Sequence, residues 1–182
     1  MDAAEPALPP VFTIGHSTRT IAEFVELLRV GGVEQVVDIR TVPRSRTNPQ
    51  YNLDRLPGEL APYQIGHRYL AALGGLRGKT AGVAPEVNAL WRNRSFHNYA
   101  DYALTAPFRD GLSELRDLAA TRACAIMCAE AVWWRCHRRI VADYLLADGR
   151  AVRHLMGPGR AEPAKLTPGA VVADGAVTYP AA

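Results

Sequence analysis

Lysine is almost missing from this chain: Lys79 and Lys165 are two of its 21 basic residues, and arginine supplies the rest. Codon usage in a GC-rich genome accounts for such a bias as well as function does. Against 18 acidic residues the net charge is only +3, too small to make the whole surface a nucleic-acid footprint. Any anion site has to be local. Cysteine is scarce too: Cys124, Cys128 and Cys136 cannot all pair within one chain, which excludes a disulfide scaffold. The first residues, MDAAEPALPPVF, lack the basic and apolar regions of a secretory signal, so a cytoplasmic, reducing location with free thiols is expected. Apolar runs fall far short of a membrane span, so no membrane partner is expected. There is no internal repeat.

What remains is 182 residues that are 48% hydrophobic, enough for one globular domain with its own core. The expected organisation is a loose lead-in at 1–10, an α/β domain at 11–156 and a tail at 157–182. Within the tail Asp174-Gly175 marks a small hairpin.

VFTIG (Val11–Gly15) reads as a buried strand, and TIAEFVELLRVGG as a helix. Thr20 and Glu23 carry the capping-box pattern, Phe24, Leu27 and Leu28 form the apolar face, and Gly31-Gly32 ends it. EQVVDIR (Glu34–Arg40) is a second strand, which completes a right-handed βαβ unit. From Thr41 to Gly82 the pattern loosens, with a short helix near Leu53–Leu60 and a strand at His67–Leu70. A short helix begins at Pro85, and APFRDGLSELRDLAA is a clearer one, with Phe108, Leu112, Leu115 and Leu118 on one face. CAIMCA (Cys124–Ala129) is a buried strand, CHRRIVADYLLADG a helix and RAVRHL a last strand. The alternation predicts a compact single α/β domain with a mainly parallel sheet and flanking helices.

In such sheets ligands bind beyond the carboxyl ends of the strands. Those ends carry His16 and Ser17; Asp38, Arg40 and Arg44; Cys128 and Glu130; then Cys136, His137 and Arg138; and finally His154. Arg40 and Arg44, held by Pro43, suit bidentate capture of a phosphate or carboxylate, unless both are simply solvated. Asp38 suits a structural role accepting loop N–H groups, and Ser17 competes with Thr20 as a helix-entry residue.

CAEAVWWRCHRR (Cys128–Arg139) spans a strand-to-helix crossing, where free N–H groups favour an anion or a thiolate. Three chemistries compete there. A zinc site is disfavoured because adjacent Cys136 and His137 are expected to splay apart and no close Cys-x-x-Cys pair exists. A phosphatase-like cysteine loop lacks the glycines of an anion nest. In the third, Glu130 with His16 or His137 does acid/base work while arginines and the helix end hold an anion. An internal Glu130 pair with Arg138 or Arg135 is the structural alternative. Of Trp133 and Trp134, one is expected to be exposed.

TIGHS, VVDIRTVPRSR, YLAALGGLRG, FHNYADYA, FRDGLSEL and IMCAEAVWWRCHRRIVADYLLADGRAVRHL occur in the order seen in the domain of unknown function 488 family, which the chain resembles over residues 11–156. The resemblance implies a compact α/β fold. It also puts His16, Ser17, Asp38, Arg40, Pro43, Ser45, Gly74, Gly75, Cys128, Glu130, Cys136, His137 and Arg138 at the family's motif positions. Members commonly carry a proline after the Cys-x-Glu element, where this chain has Ala131-Val132-Trp133-Trp134.

The expected function is an enzyme binding a phosphate-bearing ligand, a nucleotide or nucleic-acid component. Glu130, His16 and His137 are the catalytic candidates, and Ser17, Arg40, Arg44, Cys128, Cys136 and Arg138 the ligand-binding ones. No metal is assigned, and the sequence leaves cofactor and oligomeric state open. The alternatives are a non-catalytic nucleic-acid-binding module and a thiol-based metal or redox site.

Overall fold

The computed structural model describes Ala4 and residues 7–182, so part of the expected lead-in at 1–10 lies outside the described residues. Its elements run β1 (Val11–Gly15), α1 (Ile21–Val30), β2 (Gln35–Asp38), α2 (Leu56–Leu60), β3 (Gly66–Tyr69), α3 (Arg94–Tyr102), α4 (Ala106–Thr121), β4 (Cys124–Cys128), α5 (Arg138–Ala147), β5 (Val152–Gly157), β6 (Arg160–Pro163), β7 (Val171–Ala173) and β8 (Ala176–Thr178). The main sheet has the order β3-β2-β4-β1-β5-β6. Its first five strands are parallel, and β6 runs antiparallel to β5. The mainly parallel α/β sheet read from the sequence is therefore the observed architecture.

β1 and β4 are buried along their whole length, as strands covered on both faces must be. Side chains alternate between two cores. Phe12, Ile14, Val36, Ala125 and Met127 pack with Phe24, Leu28, Leu56 and Leu60 of α1 and α2. Val11, Val37, Cys124 and Ile126 face the other way, toward α3, α4 and α5. Each fully buried Leu or Phe contributes roughly 1.5–3 kcal/mol.

The chain leaves β1 toward β2 through α1 and leaves β4 toward β5 through α5. Adjacent strands β4 and β1 thus send their connections in opposite directions, to opposite faces. Their carboxyl ends form the topological switch point of the sheet, the edge at which such sheets bind ligands.

Three elements depart from the sequence reading. α3 was not expected, although Asn93 caps it by accepting from the N–H groups of Ser95 and Phe96. β6 adds a strand where only tail was anticipated. His154 lies inside β5 opposite Thr13 rather than beyond the strand's end, because β5 continues to Gly157. There it is buried, accepts or donates to Thr13 Oγ1 at 2.7 Å through Nδ1, and stacks on Trp133 at 4.6 Å. Among the described residues no helix is long and apolar enough to cross a membrane.

Candidate active site at the switch point

β1 and β4 keep pairing past their ends: the His16 N–H donates to the Cys128 carbonyl at 2.9 Å, and Ser17, in the left-handed region at φ 47°, donates to Ala129 at 3.0 Å. Ser17 is therefore a backbone anchor. Gly15 is required here, because a Cβ would run into the Glu130 carbonyl.

Strand alternation then separates the polar groups. His16 continues the face of Phe12 and Ile14, and Arg40 lies two residues beyond Asp38 on that same side. Arg40 donates through Nε to Asp38 Oδ1 at 2.9 Å, and through Nη2 to Asp38 Oδ2 at 2.7 Å and to the Tyr51 carbonyl at 2.6 Å. Asp38 also accepts the Arg40 N–H, the loop-orienting role expected of it. Burial acts against the Asp38 charge, but the Arg40 guanidinium and His67 outweigh it and hold the carboxyl below its usual range. Behind Arg40, His16 donates from Nδ1 to the Ser17 carbonyl at 2.8 Å, turns Nε2 toward Arg40 Nη1 at 3.5 Å and stacks on Tyr51 at 4.2 Å. Burial, with Arg40 and Arg19 nearby, keeps this imidazole neutral.

Cys128 continues the opposite face, that of Cys124 and Ile126, and so meets the chain entering α5. Arg138, the first residue of that helix, is fully buried at 0% exposure. It donates through Nη1 to Cys128 Sγ and to the Glu130 carbonyl, each at 2.7 Å, and through Nη2 to the Ala131 carbonyl at 3.2 Å. Among the described residues no carboxylate lies within ion-pair distance of it. The Arg138 N–H points at Cys136 Sγ at 3.4 Å.

Cys136 Sγ also lies 3.5 Å from His137 Nδ1. His137 Nε2 sits 2.7 Å from the Ile39 carbonyl, which can only accept, so the neutral ring carries its proton on Nε2 and offers a lone pair to the thiol. Tyr99 packs edge-on against this ring at 5.0 Å. Gly75 passes so close that a Cβ there would collide with Nδ1. The expected splaying of Cys136 from His137 is thus corrected, because the 3-10 turn at Trp133–Arg135 and the bond to Ile39 rotate the ring back onto the sulfur.

The two thiols differ. Burial pushes Cys128 well up, and neighbouring Cys136 adds to the effect. Burial also opposes charge on Cys136, yet neighbouring Cys128, the Arg138 guanidinium and the Arg138 N–H together lower it below an ordinary thiol. Burial lowers His137 despite the raising influence of Cys128 and Ile39.

Both sulfurs and His137 line a cavity of about 280 Å³. Arg40, Thr41, Glu130 and Arg135 add polar groups to it, and Val42, Leu76 and Phe96 form apolar walls. Glu130 is exposed; its carbonyl, not its carboxylate, meets Arg138, and no ion pair to Arg135 forms among the described residues. His16, Ser17 and Arg138 do not line this cavity. Arg44 lies apart from Arg40, in an adjoining hollow of about 850 Å³ with Arg46 and Ser45. The larger hollow has apolar lining from Pro43, Pro49 and Leu53 but neither thiol nor imidazole. Trp134 is the exposed member of the tryptophan pair, at 46%.

Arg135 completes the cavity without having been singled out for it, and so do Thr41, Val42 and Leu76, whereas Gly75 held one of the motif positions of the resembled family. Arg135 stood within the dense polar segment, and Phe96 belonged to the unexpected α3. Among the described residues no group of three or more His, Cys, Asp or Glu side chains gathers as a metal site.

A family model described as domain of unknown function DUF488 matches residues 20–145. No curated protein and no solved structure matches the chain.

Proposed function

The chain belongs to the DUF488 family, whose name carries no reaction, and from that premise we propose an enzyme acting on a phosphate-bearing ligand, a nucleotide or nucleic-acid component. The observation that carries this reading is the mixed character of one cavity. The side chains of Arg135 and Glu130 stand at it with no ion-pair partner among the described residues, while Val42, Leu76 and Phe96 offer walls for a planar ring. A cavity of about 280 Å³ suits a base or a mononucleotide fragment.

Arg135 and the remaining Nη1 of Arg40 receive the anion. Glu130 serves as the acid/base group reached from solvent, and His137, neutral and fixed by Ile39, as the one beside the thiols. His16 supports Arg40 from behind, and Arg138 holds the crossing together. A second reading, a non-catalytic nucleic-acid-binding module, draws on Arg44 and Arg46 in the adjoining hollow, where a phosphate backbone would run on.

Thermal denaturation of the full chain with nucleoside phosphates, sugar phosphates and inorganic phosphate tests both readings. A ligand at a hundred times its Kd adds about 2.7 kcal/mol to apparent stability. Arg135→Ala is expected to remove that response while changing unliganded stability by no more than about 0.5 kcal/mol. If no phosphate ester stabilises the protein, the reading is wrong. A response to polynucleotide that persists in Glu130→Gln, falls steeply with salt and brings no turnover favours the second reading.

A further inference from the structure

A guanidinium at zero exposure needs a counter-charge, since an unpaired buried cation costs several kcal/mol. Arg138 finds two carbonyls and a sulfur, and no carboxylate within ion-pair distance among the described residues. The groups able to balance it are the two thiols, and it meets both: Nη1 donates to Cys128 Sγ at 2.7 Å and the backbone N–H to Cys136 Sγ at 3.4 Å. One negative charge on that pair would balance Arg138. Cys136 is the one beside a base: it receives the Arg138 N–H and can give its proton to the lone pair of His137 Nδ1 at 3.5 Å, while the Cys128 S–H points to the Glu130 carbonyl at 3.6 Å. Both sulfurs open on the cavity, Cys136 by only 4% of its surface.

We propose that Cys136 and Cys128 form a reactive dithiol, Cys136 as nucleophile and Cys128 as resolving thiol, whose co-reactant is a hydroperoxide. His137 takes the Cys136 proton. The thiolate attacks the terminal peroxide oxygen, the O–O bond breaks, and the proton held by His137 goes to the departing oxygen as water or an alcohol. Cys136 is left as a sulfenic acid. Cys128, giving up its proton, attacks that sulfur; the S–O bond breaks, water leaves, and a Cys128–Cys136 disulfide remains. Two thiols are oxidised by two electrons and one hydroperoxide is reduced. Arg138, behind the cavity wall, holds both sulfurs, Cys128 through Nη1 and Cys136 through its backbone N–H. The reaction needs the cavity but not the nucleotide reading.

Cys124 is the internal control, buried inside β4 on the core side and lining no part of the cavity. The test treats the reduced full chain with a small excess of hydrogen peroxide at neutral pH. Intact mass is expected to fall by about 2 Da. Non-reducing peptide mapping should join Cys128 to Cys136 and leave Cys124 free, at a rate at least roughly tenfold above that of an unstructured thiol. As pH falls, the rate should begin to drop at a lower pH than that of an ordinary thiol. Cys128→Ser should stop at a sulfenic acid on Cys136, trapped by dimedone. If that variant does not fold, the wild-type map alone decides.

Linkage through Cys124, disulfides between chains, or oxidation no faster than a free thiol overturns the proposal. A disulfide without any nucleotide-induced stabilisation would refute the proposed ligand and leave the dithiol standing; the converse result refutes the dithiol alone.

Discussion

Arg40 and Arg135 both border the cavity, yet one is buried against a carboxylate and the other stands at the rim. Removing Arg40 strands the buried Asp38 and releases the Tyr51 carbonyl. Arg40→Ala is therefore expected to cost about 3–5 kcal/mol in denaturant unfolding, against little for Arg135→Ala. A loss of ligand response in the first variant would report unfolding, which makes Arg135 the informative position. His154 sets an acid limit. Burial first, then Arg138 and Arg139, lower it to about 4, while an unfolded histidine titrates near 6.5. Between those values the unfolded chain binds a proton that the folded chain refuses. The stabilisation is complete above pH 6.5 and is lost as pH falls toward 4, by about 3 kcal/mol in all. His16 and His137, also held neutral, act in the same direction. Urea titrations from pH 7 to 4 should show falling midpoints, with a shallower slope in His154→Gln.

α1 and α3 mark the difference between a helix that announces itself and one that does not. Thr20 accepts the Glu23 N–H at 3.1 Å while the Glu23 carboxylate accepts the Thr20 N–H at 3.0 Å, the reciprocal cap that the sequence spelled out. Thr20→Ala should cost about 0.5–2 kcal/mol, read as a lowered midpoint with an unchanged denaturant slope. In α3 the apolar positions Phe96, Tyr99, Ala100 and Ala103 recur at helical spacing, but arginine, histidine, asparagine and aspartate among them dilute the signal. Recognising Asn93 as a cap would have found it, and with it the wall formed by Phe96. β4 was readable to its last residue: alternation from Cys124 through Ile126 puts Cys128 on the α5 side. The same rule puts His16 and Arg40 on the other side, which is why the histidine beside the thiols is His137.

The segment after β5 closes the molecule. β7 and β8 meet around Asp174 and Gly175, both at positive φ, and the chain then buries Val177 and Tyr179. Tyr179 donates to Asp143 Oδ2 at 2.8 Å, and the Thr167 N–H donates to Oδ1 at 2.9 Å, which ties this segment to α5. Burial raises Asp143, and beside it the Tyr179 hydroxyl stays protonated well beyond its ordinary range. Tyr179→Phe leaves a buried carboxyl short of a donor and should lower stability by about 1.5–3 kcal/mol, measured by urea unfolding. Because α5 also carries Arg138, the loss should be accompanied by slower thiol oxidation only if the helix shifts.

The alternating apolar runs determined the strands, the capped periodic stretches determined α1 and α4, and their order determined a parallel sheet with its ligand edge at the strand ends. Those are local properties, written into neighbouring residues. Which charges are spent inside the fold and which stay free was decided only by tertiary structure. Arg40 is committed by a carbonyl eleven residues away and His137 by one nearly a hundred residues away, distances over which sequence spacing carries no geometry. The contacts of Arg138 with Cys128 and Cys136 likewise arise only because packing buries that arginine, with no carboxylate within ion-pair distance among the described residues.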